Sequence, residues 1–218
     1  VGDYRLRRAV AVFDLELDPA DNVYLGGQTS SSDFPTTANA YDTLHKGGSD
    51  AFLARLDPDG TLSYSSYFGG GADDYCTEIE FQGPGLATIG GTTASSDLPT
   101  KNGFQMSKAG SAGGRDYFVS RLDLSQGTAG LVYSSYLGGS AHEGLGITYS
   151  ASPMQNFALD VASTGEIAIS GRTLSNNFPT AGNPYAPPHS GKSDAFVTII
   201  DPSQSGSAGL SYSSFLGG

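Results

Sequence analysis

The chain has 218 residues, with 31 glycines, 11 prolines, one cysteine and no tryptophan, and its 22 acids against 11 bases leave a formal net charge of -11. Glycine without a three-residue period excludes a collagen-like chain, 38% apolar residues exclude a disordered one, and no apolar run reaches the ~18 residues of a spanning helix. The acidic balance argues against sequence-independent nucleic-acid binding, and one cysteine forms no internal disulfide, so stability must come from burial.

Val10 to Leu17 and Val23 to Thr29 are rich in β-branched, aliphatic and aromatic residues and are predicted strands. Asp18-Pro19-Ala20-Asp21-Asn22 between them suits a tight turn, because proline presets φ and asparagine tolerates positive φ. A long loop, Ser30 to Ser49, follows. Asp50 to Leu56 and Leu62 to Phe68 are the third and fourth predicted strands, separated by Asp57-Pro58-Asp59-Gly60. Alternation in the fourth puts Leu62, Tyr64, Ser66 and Phe68 on one face and Ser63, Ser65 and Tyr67 on the other. No segment carries a sustained helical period.

This four-strand unit occurs three times. Ser63-Tyr64-Ser65-Ser66-Tyr67-Phe68-Gly69-Gly70 returns at Val132 to Gly139 and at Ser211 to Gly218. Ser32-Asp33-Phe34-Pro35-Thr36 returns at Ser96 to Thr100 and Asn176 to Thr180, and Asp50-Ala51-Phe52-Leu53 at Asp116 to Val119 and Asp194 to Val197. The three blocks keep their order, and the last steps by 69 and then 79 residues (63 to 132 to 211). Four antiparallel strands per repeat at this period predict propeller blades.

Taken together, Asn22 to Gly27, Ser32 to Thr37, Gly48 to Phe52, Leu56 to Gly60 and Tyr64 to Gly70 resemble the bacterial SBBP-type β-propeller repeat. The resemblance spans essentially the whole chain, three times over. It implies an all-β, β-propeller-type fold of three four-stranded antiparallel blades, at about 1–70, 71–139 and 140–218. It also implies an extracellular or cell-surface bacterial setting, and brings no catalytic residues with it. The copies differ at turns: Gln82-Gly83-Pro84-Gly85 replaces an Asp-Pro turn, Leu98 replaces phenylalanine, Asp123-Leu124-Ser125 lacks proline, and the third copy carries extra residues around Glu143 to Asn156. A closed propeller needs about four to eight blades. With Val1 in place of an initiator methionine, the expectation is an excerpt of a larger propeller, or a ring completed by further blades of the same or another chain.

Several residues are candidates for chemistry. Asp50, Asp116 and Asp194 recur once per repeat, which points to carboxylates accepting backbone N–H groups at blade corners. Asp74, Glu78 and Glu80, beside Asp73, fall on one face of a strand by simple alternation, as a solvated face or channel lining. Asp57-Pro58-Asp59-Gly60 offers two carboxylates where calcium needs about six to eight oxygens, so calcium stands as a weaker alternative to turn chemistry. His45, His142 and His189 lie in loops without metal-ligand spacing, His142-Glu143 is an acid–base pair with no nucleophile marked nearby, and Cys76 is expected to be a small buried side chain. No cofactor or catalytic motif is present.

The expected function is therefore a non-catalytic structural or interaction module that binds a protein or glycan, or builds an extracellular assembly. Its candidate contact surface is the long-loop face carrying Phe34, Tyr41, Phe104, Phe178 and Tyr185. The alternatives are a polysaccharide-acting enzyme with acids at a central channel and a calcium-stabilised scaffold.

Overall fold

A computed structural model describes residues 10–83, 85–110, 113–144, 157–185 and 193–217. His189, Gly2 to Tyr4 and most of the third-copy insertion lie outside them.

The described chain forms twelve strands in three four-stranded antiparallel sheets, each a simple meander. The first holds β1 (Val10–Leu17), β2 (Val23–Thr29), β3 (Asp50–Leu56) and β4 (Leu62–Phe68), at the expected positions. The second holds β5 (Asp74–Phe81), β6 (Leu86–Thr93), β7 (Asp116–Asp123) and β8 (Leu131–Leu137). The third holds β9 (Phe157–Val161), β10 (Ile167–Thr173), β11 (Asp194–Ile200) and β12 (Leu210–Leu216). Two short 3-10 turns, Gly127–Ala129 and Gly206–Gly209, replace the Asp-Pro-Asp-Gly turn of the first copy. In the first copy, Gly60 and Asp21 take the positive-φ turn positions, at 84° and 61°. Among the described residues no helix is long and apolar enough to cross a membrane.

Bulges overturn two expectations drawn from alternation. In β5, Cys76 pairs with Gly91 and Glu78 with Gly90, so Thr77 is an extra residue; Phe13 plays the same part in β1. One extra residue flips the following side chains to the other face. Asp74, Cys76 and Ile79 therefore face the first sheet, while Glu78 and Glu80 lie on the opposite face. A second bulge leaves Ser63, Val132 and Ser211 unpaired in the fourth strands. Leu62, Leu131 and Leu210 thus part from Tyr64, Tyr133 and Tyr212. Leu131 packs in the core between the first two sheets, whereas Tyr133 packs in the core between the last two.

Those two cores hold the sheets together. The first joins Tyr24, Leu53 and Phe68 to Cys76, Ile79, Ile89 and Phe118. The second joins Tyr117, Val119 and Leu137 to Phe157, Leu159, Ile169 and Phe196. Aromatic pairs cross both junctions, with ring centroids 5.6 Å apart for Phe68–Phe118 and 5.0 Å for Tyr117–Phe157. Glycines set the spacing. A Cβ at Gly26 would stand 2.8 Å from Cys76 Sγ, and one at Gly90 2.7 Å from the Phe157 ring. The strand-ending pairs Gly69-Gly70 and Gly138-Gly139 serve space as well. Their φ angles are not positive, but a Cβ at Gly69 would meet the Asp74 carboxylate at 2.6 Å and one at Gly139 would meet Ser175.

The described part of each long loop runs along the fourth-strand edge of its own sheet. Thr37 N–H donates to Ser65 O and Tyr67 N–H to Asp42 O, while Lys101 and Ala181 exchange bonds with Ser134 and Ser213. The repeated serine anchors the loop proline each time: Ser65, Ser134 and Ser213 hydroxyls donate to the carbonyls of Pro35, Pro99 and Pro179 at 2.6, 2.7 and 2.7 Å. An edge strand with bare N–H and C=O groups would template aggregation, and these loops occupy it.

Candidate functional site

Two groups of acids occupy the junctions between sheets. The first group is buried. Asp50 accepts the N–H groups of Lys46 and Gly47 at 2.7 and 2.9 Å, and Asp116 that of Ala109 at 2.7 Å, the corner role expected of them. Each faces an acid from the start of the next sheet. Asp74 Oδ2 accepts Gly70 N–H at 2.7 Å and the Ser95 hydroxyl at 2.8 Å. Glu143 Oε1 repeats this with Gly139 N–H at 2.9 Å and the Ser175 hydroxyl at 2.6 Å. Glu143 is thus a buried structural group, and His142 beside it accepts Arg115 N–H at Nδ1. Among the described residues the second oxygens, Asp74 Oδ1, Asp116 Oδ1 and Glu143 Oε2, are buried without a hydrogen-bond partner. Burial, with Asp50 nearby, pushes Asp74 up to about 6. Burial, with Glu143 nearby, pushes Asp116 up to about 7, and burial raises Glu143 too.

The second group lies along the first strands of the sheets. Asp14 and Glu16 on β1, Glu78 and Glu80 on β5 and Asp160 on β9 form one acidic row. Asp14 also accepts the Ile79 N–H across the junction at 2.8 Å. Glu78 is raised to about 7 by partial burial and by Asp14, Glu80 and Glu16. Glu80 is raised to about 7 by partial burial and by Glu16, Asp160 and Asp14. Burial and the repulsion of neighbouring carboxylates favour the neutral form of Glu78 and Glu80. Sequence reasoning found Glu78 and Glu80 but grouped them with Asp74, which the bulge removes. It missed Asp14, Glu16 and Asp160, although these repeat the β5 acids at matching strand positions.

Among the described residues no three His, Cys, Asp or Glu side chains converge to hold a metal. The Asp57-Pro58-Asp59-Gly60 carboxylates are engaged locally. Asp57 accepts from Arg55 and from Ser63 at 2.6 Å, and Asp59 from Thr61 N–H at 2.9 Å. His45 is half-buried against Tyr67, 5.8 Å between ring centres. Cys76 is fully buried, as expected.

The five loop aromatics do not form one exposed surface. Phe178 is buried, its ring 4.3 Å from Phe196. Phe34 is half-buried, 4.6 Å from Phe52. Tyr41 packs on the first core, 5.9 Å from Phe68, and Phe104 on the second. Only Tyr185 is open, at 82% exposure. The physical reason is that each loop wraps its sheet edge, so its aromatics seat the loop rather than point outward. The large exposed apolar side chains of the first two loops are instead the aliphatic Leu44 and the thioether Met106.

No protein-family model matches the chain, and no curated protein matches it.

Proposed function

We propose that the chain is a non-catalytic structural and interaction module. In this reading it is three β-propeller blades of the SBBP type, belonging to a secreted or cell-surface bacterial protein that binds a protein or glycan or builds an extracellular assembly. The observation that carries the proposal is what the repeated polar residues do. Asp50 and Asp116, the serines at 65, 134 and 213, and the hydroxyls of Tyr67 and Tyr136 all direct their hydrogen bonds into the fold. What recurs is architecture, and contact with a partner falls to the variable, exposed loop positions such as Leu44, Met106 and Tyr185.

Propeller geometry is supported by the acidic row, in which Glu80 feels both Glu16 and Asp160 although these belong to the flanking sheets. Blades that converge on an axis bring first strands together and fan their fourth strands apart. Spin-label distances test this. The Glu16→Cys/Asp160→Cys pair should be clearly shorter than the Ser63→Cys/Ser211→Cys pair. Equal distances would indicate a flat stack and overturn the reading.

A second reading, a polysaccharide-acting enzyme, draws on Glu78 and Glu80, whose carboxyls, raised to about 7, suit the general acid that glycoside cleavage requires beside an ionised second carboxylate. Glycan hydrolysis abolished by Glu78→Gln in a folded protein would replace the first reading with this one.

A further inference from the structure

We propose that a cleft at the turn end of the first junction binds a neutral sugar unit of a polysaccharide. The inference rests on the glycan-binding side of the function proposed above and deepens it by giving the ligand class and the site.

Away from the long loops, the strands of the first two sheets end in turns that enclose a cleft of about 530 Å³. Small-ligand sites span roughly 300–1,000 Å³. Ala20 and Asn22 line the cleft from the β1–β2 turn, Gly83 from the β5–β6 turn and Ser125 from the β7–β8 turn, together with Arg55 and Phe81.

The second junction shows why this one is open. Register matches Arg121 to Arg55 and Gly165 to Gly85. Arg121 is 8% exposed and crosses its junction, donating from Nη2 to Gly165 O at 2.9 Å and from Nε to the Thr88 hydroxyl at 3.2 Å. Gly165 O is available because the third sheet has Pro202 beside it, which has no N–H. The second sheet has Leu124 at that position, and its N–H takes Gly85 O at 2.7 Å. Arg55 instead turns back onto its own sheet. Its Nη2 donates to Asp57 at 2.9 Å and its Nε to Ser63 at 2.9 Å. Asp123, the match of Asp57, is held by Ser125. One arginine thus seals its junction, and the other leaves the space between the turns open.

The groups around that space suit a sugar. Arg55 keeps its Nη1 N–H groups as donors. Asn22, whose Nδ2 donates to Asp18 at 2.7 Å, keeps its oxygen as an acceptor. Phe81 is half-buried with its ring 5.0 Å from that of Tyr24, and it supplies an apolar surface. A sugar ring uses all three, with a C–H face for the aromatic ring and hydroxyls that donate and accept. Charge selects the neutral kind. Asp57 compensates Arg55, and a chain of net charge -11 repels an acidic ligand. Nor is the Asp18 carboxylate left for a basic one. Its Oδ1 accepts the N–H groups of Ala20 and Asn22 at 2.8 and 3.0 Å, and its Oδ2 accepts Asn22 Nδ2 and the Tyr24 hydroxyl.

Affinity electrophoresis of the full chain tests the proposal, in gels carrying dextran, galactomannan, arabinoxylan or mixed-linkage glucan, with alginate as the acidic comparator. At least one neutral polysaccharide should retard the chain, and added salt should leave the retardation unchanged. Arg55→Gln should weaken binding about tenfold, the worth of a hydrogen bond to a charged group. Ala20→Trp, which plugs the cleft from an exposed position, should abolish it. Thr164→Trp, at the matching exposed position of the sealed junction, should bind like the parent. Equal urea midpoints for the parent and the two tryptophan variants show that both fold. Retardation by alginate alone, binding indifferent to Ala20→Trp and Arg55→Gln, or equal loss in Thr164→Trp would overturn the site. Binding that survives Ala20→Trp places glycan recognition elsewhere and leaves the proposed function standing. No retardation in any gel sinks the sugar site and the glycan-binding side of that function together. The spin-label distances report separately on the propeller.

Discussion

Replacing Asp74 by asparagine tests the buried acids at the junctions. Asp74 is fully buried, with Oδ2 satisfied by Gly70 and Ser95, Oδ1 without a partner among the described residues and the Asp50 carboxyl across the junction. Its carboxyl is raised from 3.8 to about 6, chiefly by burial. The folded state therefore prefers the neutral acid. The stability this group contributes is full below the unfolded value, declines as pH rises, and is lost above the folded value. At 1.36 kcal/mol per pH unit, that interval corresponds to ~3 kcal/mol. The replacement amide cannot ionise, keeps an oxygen for Gly70 and Ser95, and turns its nitrogen toward Asp50. Relative to the parent, Asp74→Asn should be within ~1 kcal/mol at pH 4 and gain up to ~3 kcal/mol above pH 6.5. Urea unfolding at pH steps between these limits measures the difference, with other titrations cancelling between the two proteins. A variant equally destabilised at both ends would refute the reasoning, because it would mean that the carboxylate itself is needed.

Gly90→Ala should cost ~1–3 kcal/mol by forcing a Cβ within 2.7 Å of the Phe157 ring and 2.8 Å of Leu159, read as a lower urea midpoint. Tyr136→Phe removes a hydroxyl that donates to Ser95 O at 2.9 Å and accepts Leu98 N–H at 3.0 Å. The expected loss is ~1–3 kcal/mol, toward the low end because the third sheet already carries Phe215 at this position. Cys76, fully buried with its thiol pushed far up by burial, should resist a thiol reagent at pH 8 until urea unfolds the chain. Rapid labelling of the folded protein would contradict the packing of the first junction.

Much of the architecture is local and so is written in the chain. The strands of the first sheet follow from residue type and turn chemistry, the threefold repeat from identity at fixed offsets, and the corner role of Asp50 and Asp116 from an acid placed just where a loop meets a strand. The side-chain faces are another matter. Nothing in Asp74-Tyr75-Cys76-Thr77-Glu78 announces that Thr77 is an extra residue, since a bulge is a property of two paired strands. It alone decides that Asp74 is a buried junction acid and Glu78 part of a half-buried acidic row. The loop aromatics teach the same lesson. Phe34 and Phe178 stand in matching Phe-Pro-Thr blocks and their rings pack on Phe52 and Phe196, whereas Tyr185, whose N–H donates to Ser214 Oγ of β12 at 2.9 Å, leaves its ring 82% exposed. The sequence by itself determined the repeating unit, because strands and turns depend on neighbours along the chain. Tertiary structure alone decided which faces of that unit are buried and which remain open, because burial depends on neighbours in space.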